Sequence, residues 1–169
     1  MNNSDVERVL DAYGKLVYRT AYVRLASHDA SAVDDVYQDV FLKYITSPPR
    51  AEPGSPAERA WFVRCTINRC KDVFRDARHK SSSELDGSII AGDTGSEGNM
   101  ALDVLMSIPE KYRMPMYLYY VCGYDCAECA KMLELGGAAL RMRLVRGRKL
   151  FELAWYGEEH APQNIIAKE

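Results

Sequence analysis

A 19-residue stretch at 81–99, SSSELDGSIIAGDTGSEGN, divides this sequence before anything else in it is read. Ser, Gly and acidic residues crowd together there and no helical period is sustained, so the stretch reads as a linker. It is longer than the connections usual inside a compact domain, and as a flexible coil it would reach on the order of 25 Å. The 169-residue chain therefore separates into small domains at 1–80 and 100–157, joined by a flexible acidic linker. The tail APQNIIAKE has too little apolar content to pack, and 158–169 is expected to be disordered. There is no internal repeat.

Both domains carry helical periodicity, which makes the expected fold all-α. Leu10, Tyr13, Val17, Ala21 and Leu25 recur at helical spacing. Val33, Val36, Tyr37, Val40, Phe41, Tyr44 and Ile45 form a wider apolar stripe. Ser31 is the expected N-cap of that second helix, with Asp34 and Asp35 in the first turn, where the helix dipole favours acids. The proline-rich loop TSPPRAEPGSP then breaks the chain. A third helix is expected from about Ala57, with Val63, Ile67, Cys70, Phe74 and Ala77 on its apolar side. One position further round lie Arg64, Asn68, Lys71, Arg75 and Arg78. Trp61 and Phe62 open this helix, and aromatics beside cations suit a surface that stacks unpaired bases and neutralises phosphates. The plain alternative is that both rings are simply core, and for one of them core packing is the expected reading.

The second domain reads as a helical unit ending in a helix-turn-helix. Cys126, Cys129, Ala130 and Leu133 mark a short amphipathic helix, and Leu135, Gly136 and Gly137 the turn. A longer helix from about Ala138 carries Leu140, Leu144, Gly147, Phe151 and Ala154 on one side, with Arg141, Arg143, Arg146, Arg148 and Lys149 around the rest. In such a motif the second helix enters the major groove, its early residues meet base edges and its cations hold phosphates.

Charge distribution says more than the net charge of -2. Residues 59–80 hold seven Lys or Arg against two acids, and 141–149 hold five against none, whereas 81–99 hold four acids and no base. Basic islands flanking an acidic strip suggest separate contact sites for a polyanion. Solvated helix faces are the plain alternative. Charges at Asp5, Glu7, Arg8, Asp11 and Lys15 leave no apolar core for a signal peptide, and no later run approaches a membrane span, so a cytoplasmic protein without membrane insertion is expected.

The segments YGKLVYRTAYVRL, VDDVYQDVFLKYI and AWFVRCTINRCKDVFRDARHK resemble the first conserved domain of sigma-70 family RNA polymerase sigma factors. Asp35, Gln38, Val40, Phe41, Asn68, Asp72 and Arg75 fall at the positions that family expects. The segment SIPEKYRMPMYLYYVCGYDCAECAKMLELGGAALRMRLVRGRKLFE resembles the second conserved domain, through Pro109, Arg113, Gly123, Glu128, Ala130, Leu133, Arg143, Leu144, Arg146, Arg148 and Lys149. The short length, with only a linker between domains, is similar to the extracytoplasmic-function (ECF) group. The resemblance implies that Asp34, Asp35, Gln38, Asp39, Phe41 and Leu42 dock on the clamp helices of the polymerase's largest subunit. It implies that the loop at 47–58 and the helix with Trp61, Arg64, Asn68, Lys71, Arg75 and Arg78 open and hold the minus-ten promoter element. A recognition helix through Gly137, Ala138, Ala139, Arg141, Met142, Arg143, Val145, Arg146, Arg148 and Lys149 would read the minus-thirty-five element, beside the flap of the second-largest subunit. The linker would thread the polymerase's nucleic-acid channel. An anti-sigma factor is a further partner the resemblance allows, and it implies no cofactor and no catalysis in this chain.

The sequence departs from that pattern in places. Family members usually have Gly where Glu134 stands, Ser at Gly136, Thr at Ala139 and an apolar helix former at Pro115. Inside a helix Pro115 would cost roughly 3 kcal/mol, so a helix either starts there or kinks. Asp76 interrupts the basic row. Cys122, Cys126 and Cys129 share a helical face, but His28, His79 and His160 are distant, so these thiols, with Cys65 and Cys70, read as small core side chains before a metal or redox site. Tyr117, Tyr119 and Tyr120, among eleven tyrosines, read as packing and interface residues. A free-standing helix-turn-helix regulator and a degenerate sigma-like protein that binds mainly other proteins are the competing readings.

Overall fold

The computed structural model describes residues 2–80 and 98–157, and the regular secondary structure among them is all helical. The helices are α1 (Asn3–Leu25), α2 (Ala32–Thr46), α3 (Pro56–Lys80), α4 (Gly98–Ser107), α5 (Glu110–Met116), α6 (Cys126–Leu133) and α7 (Gly137–Tyr156), with a π-helical turn at Tyr117–Val121. The chain forms two compact units, α1 to α3 and α4 to α7. The expected linker, up to residue 97, and the expected tail lie outside the described residues; Gly98 and Asn99, read as linker, open α4.

In the first unit α1, α2 and α3 pack around Phe62, which is fully buried. Its ring stacks on Tyr13 at 4.6 Å and on Tyr44 at 5.1 Å, and lies tilted 5.5 Å from Phe41. Such pairs add packing energy beyond the area they bury. The buried ridge of α1 is Val9, Tyr13, Val17, Ala21 and Leu25, a clean four-residue repeat. Leu10, expected in Val9's place, is 37% exposed because a three-residue step to Tyr13 leaves that ridge. Ile45 of α2 is likewise exposed, as Tyr44 holds the core position there. Toward the end of α3 burial fades. Phe74 is half-buried beneath the Arg24 guanidinium at 4.5 Å, and Ala77 is exposed.

The helix starts differ from expectation in instructive ways. Ser31 makes no side-chain cap on α2; its hydroxyl donates instead to Asp29, whose Oδ1 also accepts from the Ser31 and Ala32 amides at 3.1 and 3.3 Å. A carboxylate accepts several bonds where a hydroxyl offers fewer, so Asp29 organises the turn. Pro56 takes the first position of α3, where its missing N–H leaves nothing unsatisfied. Ser55 Oγ then accepts from the Glu58 amide at 3.2 Å.

In the second unit α5 and α7 touch at Gly147, where an added Cβ would stand 2.9 Å from Met116 Cγ. Leu140 and Leu144 are buried beside it, while Ala154, expected on the same side, is exposed near the free end of α7. α6 opens with a reciprocal capping box between Asp125 and Glu128. It buries Cys129, Ala130 and Met132, leaving Cys126 and Leu133 half-buried, so the inward face is turned from the one expected. Pro115 neither starts a helix nor forces a break. It sits inside α5, and the backbone widens just after it, the Cys122 amide reaching back to Tyr117 O at 3.0 Å. A π turn is one of the ways a helix absorbs a disrupted ladder.

Candidate nucleic-acid interface

On α3 the residues expected to meet DNA form a coherent outer face. Arg64, Asn68, Arg75 and Arg78 are exposed and Lys71 is half-buried, directly behind a core of Val63, Ile67 and Cys70. Arg75 lies 3.4 Å from Asp72, an exposed pair worth little in stability and easily exchanged for a phosphate. Phe62 belongs wholly to the core. Trp61 is half-buried, edge-on to Tyr44 at 5.8 Å and to Phe62 at 5.1 Å, so part of its ring remains at the surface.

The expected docking face on α2 is more selective than the sequence suggests. Asp34, Asp35 and Gln38 are exposed, and Leu42 is 56% exposed. Phe41 is not a surface residue: at 6% exposure it packs between Phe62 and Tyr37 and supports the face from beneath. Asp39 is engaged by Arg69, whose Nε donates to its Oδ2 at 2.6 Å, and this bond raises the Arg69 pKa. The pair ties α2 to α3, and no local sequence pattern singles out Arg69.

Between these helices, the 47–55 loop is anchored by a buried carboxylate. Glu58 is 1% exposed. Its Oε2 accepts from Arg8 Nη1 at 3.0 Å, Tyr13 OH at 2.9 Å and the Gly54 amide at 2.7 Å; its Oε1 accepts from Arg8 Nη2 at 2.8 Å and Tyr44 OH at 2.9 Å. Burial by itself would raise this carboxyl, but the bonds from Arg8, Gly54, Tyr13 and Tyr44 outweigh it and bring its pKa down to about 2. Burial, with the Glu58 bond, pushes both tyrosines up. The Ser55-x-x-Glu58 spacing is a recognisable helix-start signature that could have flagged Glu58. Its partner Arg8 is remote in sequence, and no local pattern links them.

In the second unit Gly137, Ala138, Ala139, Arg141, Met142, Val145, Arg146, Arg148 and Lys149 are exposed on α7, and Arg143 is half-buried. Gly136 caps α7 with extended backbone and no side-chain bond. A Cβ at Gly137 would lie 3.3 Å from Arg141 Nη1, which places that guanidinium over the helix start. Arg148 Nη1 donates to Tyr120 OH at 2.9 Å, which raises the arginine's pKa and ties α7 to the π turn. The turn between α6 and α7 is tight. Glu134 adopts φ 54°, ψ 43°, and the Leu135 amide returns to Ala130 O at 2.9 Å. Cys129 is fully buried, and burial pushes its thiol up to about 12, as it does that of Cys70. These are packing thiols, not thiolates. Among the described residues no group of three or more His, Cys, Asp or Glu is placed to hold a metal ion.

Sequence comparison matches residues 9–80 to Sigma-70 region 2 and residues 99–151 to Sigma-70, region 4. The chain belongs to the sigma-70 family. The region 2 match takes in most of α1 and all of α2 and α3, and the region 4 match takes in nearly all of α4 to α7. Among similar proteins, the probable RNA polymerase sigma factor RfaY of Xanthomonas campestris pv. campestris is 28% identical over 156 residues, covering 81% of this chain and 38% of that protein. The ECF RNA polymerase sigma factor SigM of Mycobacterium tuberculosis is 26% identical over 134 residues, covering 74% of this chain and 65% of that one. This chain thus spans less than two thirds of either relative's length. RNA polymerase sigma factor SigZ of Bacillus subtilis is 28% identical, with coverage of 75% and 74%. The fold is shared with the sigma factor RpoE of Bartonella quintana, solved with the anti-sigma factor NepR: TM-score 0.71, 18% identity, 91% of this chain and 98% of that one.

Proposed function

We propose that this protein is an RNA polymerase sigma factor of the ECF group, which binds core polymerase and directs promoter-specific initiation in the cytoplasm. The observation that carries the reading is the pairing, within one unit, of an exposed acidic and polar row on α2 with an exposed basic row on α3. Asp34, Asp35, Gln38 and Leu42 dock on the clamp helices of the largest subunit, and Asp39 and Phe41 hold that face in place. Arg64, Asn68, Lys71, Arg75 and Arg78 hold the phosphates of the minus-ten element beside Trp61 and the 47–55 loop. Capturing an extruded base offsets an unstacking cost of a few kcal/mol, so opening needs binding alone and no chemistry.

In the second unit, the recognition helix α7 reads the minus-thirty-five element. Met142 and Val145, 50% and 38% exposed, are suited to thymine methyl groups, and the surrounding arginines to phosphates and guanine edges. The flap of the second-largest subunit is the partner of this unit. An anti-sigma factor is a further partner, supported by the fold shared with an antagonist-bound sigma factor. No helix among the described residues is long and apolar enough to cross a membrane.

Asp35→Lys combined with Gln38→Ala tests the docking half. Both side chains are exposed, so the helical fold should persist by circular dichroism while co-purification with core polymerase is lost. Undiminished binding by the double variant would remove α2 from the interface.

A further inference from the structure

The structure contains a buried ionic cluster that neither polymerase docking nor DNA contact uses directly. Glu58 accepts bonds from side chains of α1 and α2 and from one loop amide, Gly54, at 2.7 Å. Stability alone does not call for such a cluster, because a well-packed apolar group of similar volume is often as good or better. A carboxylate offers direction instead. Its two oxygens fix the bidentate Arg8, both tyrosine hydroxyls and Gly54 N–H in one arrangement.

What that arrangement controls is the loop. Residues 47–55 are largely exposed; Ser47 bonds back to Lys43 at one end and Ser55 to the Glu58 and Arg59 amides at the other, and between them Gly54 is held to the body of the unit by Glu58. Gly54 has φ +79°, a conformation that side-chain-bearing residues rarely adopt, so its amide is aimed by the backbone as well as held by the carboxylate. Trp61, less than a full turn along α3 from Glu58, leans on Tyr44, whose hydroxyl is in the same cluster. Loop, tryptophan and the start of the basic face are therefore set by one group of side chains.

We infer that Glu58, through Arg8, Tyr13 and Tyr44, is a positioning residue for promoter opening: it fixes the 47–55 loop and Trp61 as a preformed receptor for an unpaired base. The inference rests on the sigma-factor reading above. A rigid receptor spares the ordering entropy that a loose loop would lose on capturing the base. The cluster thus acts on the opening step and leaves attachment to polymerase alone.

Tyr13→Phe with Tyr44→Phe tests this in the full chain, since both rings keep their stacking on Phe62 and only the hydroxyls go. Glu58→Gln serves as the more severe companion. Three readouts are compared with the unaltered protein: core polymerase binding, amide hydrogen exchange, and permanganate reactivity of thymines at the minus-ten element of a duplex promoter found with the unaltered holoenzyme. The double variant should bind core normally and exchange faster at 47–55 while the α1–α3 core amides stay protected. Its opening should fall about tenfold, the scale set by losing bonds to a charged group. Opening at the unaltered level by a variant with a loosened loop would overturn the inference. So would exchange accelerated uniformly across α1–α3, which would mark the cluster as general scaffolding, or exchange unchanged at 47–55. If the unaltered protein with core opens no promoter, the sigma-factor reading fails instead, and the exchange pattern still decides whether Glu58 fixes the loop.

Discussion

Glu134 is the non-glycine residue with positive φ among the described residues, and it stands at the tight corner between the two helices of the helix-turn-helix. A side chain in the left-handed region costs roughly 1 to 2 kcal/mol relative to glycine. Glu134→Gly should therefore raise the stability of the second unit by about 1 kcal/mol, part of the gain being lost to the freer unfolded chain; chemical denaturation followed by circular dichroism would show it. An unchanged or lower midpoint would mean that the interactions Glu134 makes at that corner outweigh the backbone strain. Glu58 gives a pH-dependent expectation of definite sign. Its carboxyl titrates near 2 when folded against an ordinary 4.5, so its contribution is fully present above about 4.5 and is lost as pH falls toward 2. The linked stability is on the order of 3 kcal/mol. Glu58→Gln should lower stability at neutral pH and flatten its decline between those two values, and denaturation at a series of pH values would reveal the difference in slope. Arg141→Ala should lower promoter discrimination by roughly 1 to 3 kcal/mol if the guanidinium reads a base edge. An equal loss on all sequences in competition binding would assign it to phosphate.

At the scale of helices, what the sequence makes legible is periodicity, and what it hides is phase and long-range pairing. The stripe Val63, Ile67, Cys70 on α3 and the exposed row beside it are readable because a helix repeats both at the same period. Leu10 and Val9 are both apolar neighbours, and only packing against the partner helices decides which turns inward. The inward turn of α6 is hidden for the same reason: Met132 and Leu133 are apolar neighbours, and packing within the second unit buries the former and leaves the latter half-buried. Phe41 was read as part of the docking face by its place in a motif, yet the core claims its ring. The roles of Glu58 and Arg69, and the particular contact of Tyr120, are not legible in the sequence because each is defined by a partner that spacing does not reveal: Arg8, Asp39 and Arg148. Gly147 illustrates the packing constraint. With Met116 Cγ at 2.9 Å and Tyr112 Cβ at 3.4 Å from an added Cβ, Gly147→Val should overpack the α5–α7 contact and cost about 1 to 3 kcal/mol, measurable as a lower denaturation midpoint. A midpoint equal to that of the unaltered protein would show that Met116 moves aside freely.

For the whole molecule, a net charge of -2 and a pair of basic faces are compatible because acids and bases are segregated. In the proposed function the exposed acids at the start of α2 face a protein partner, and the exposed cations of α3 and α7 face phosphates. The proposed activity is one of placement: the chain brings polymerase to a sequence and holds an opened strand. The direct test is run-off transcription from a genomic fragment library by purified core polymerase, with and without this protein. The account predicts start sites that appear only when the protein is added, sharing paired minus-thirty-five and minus-ten elements. Firm binding to core without any new start site would contradict it.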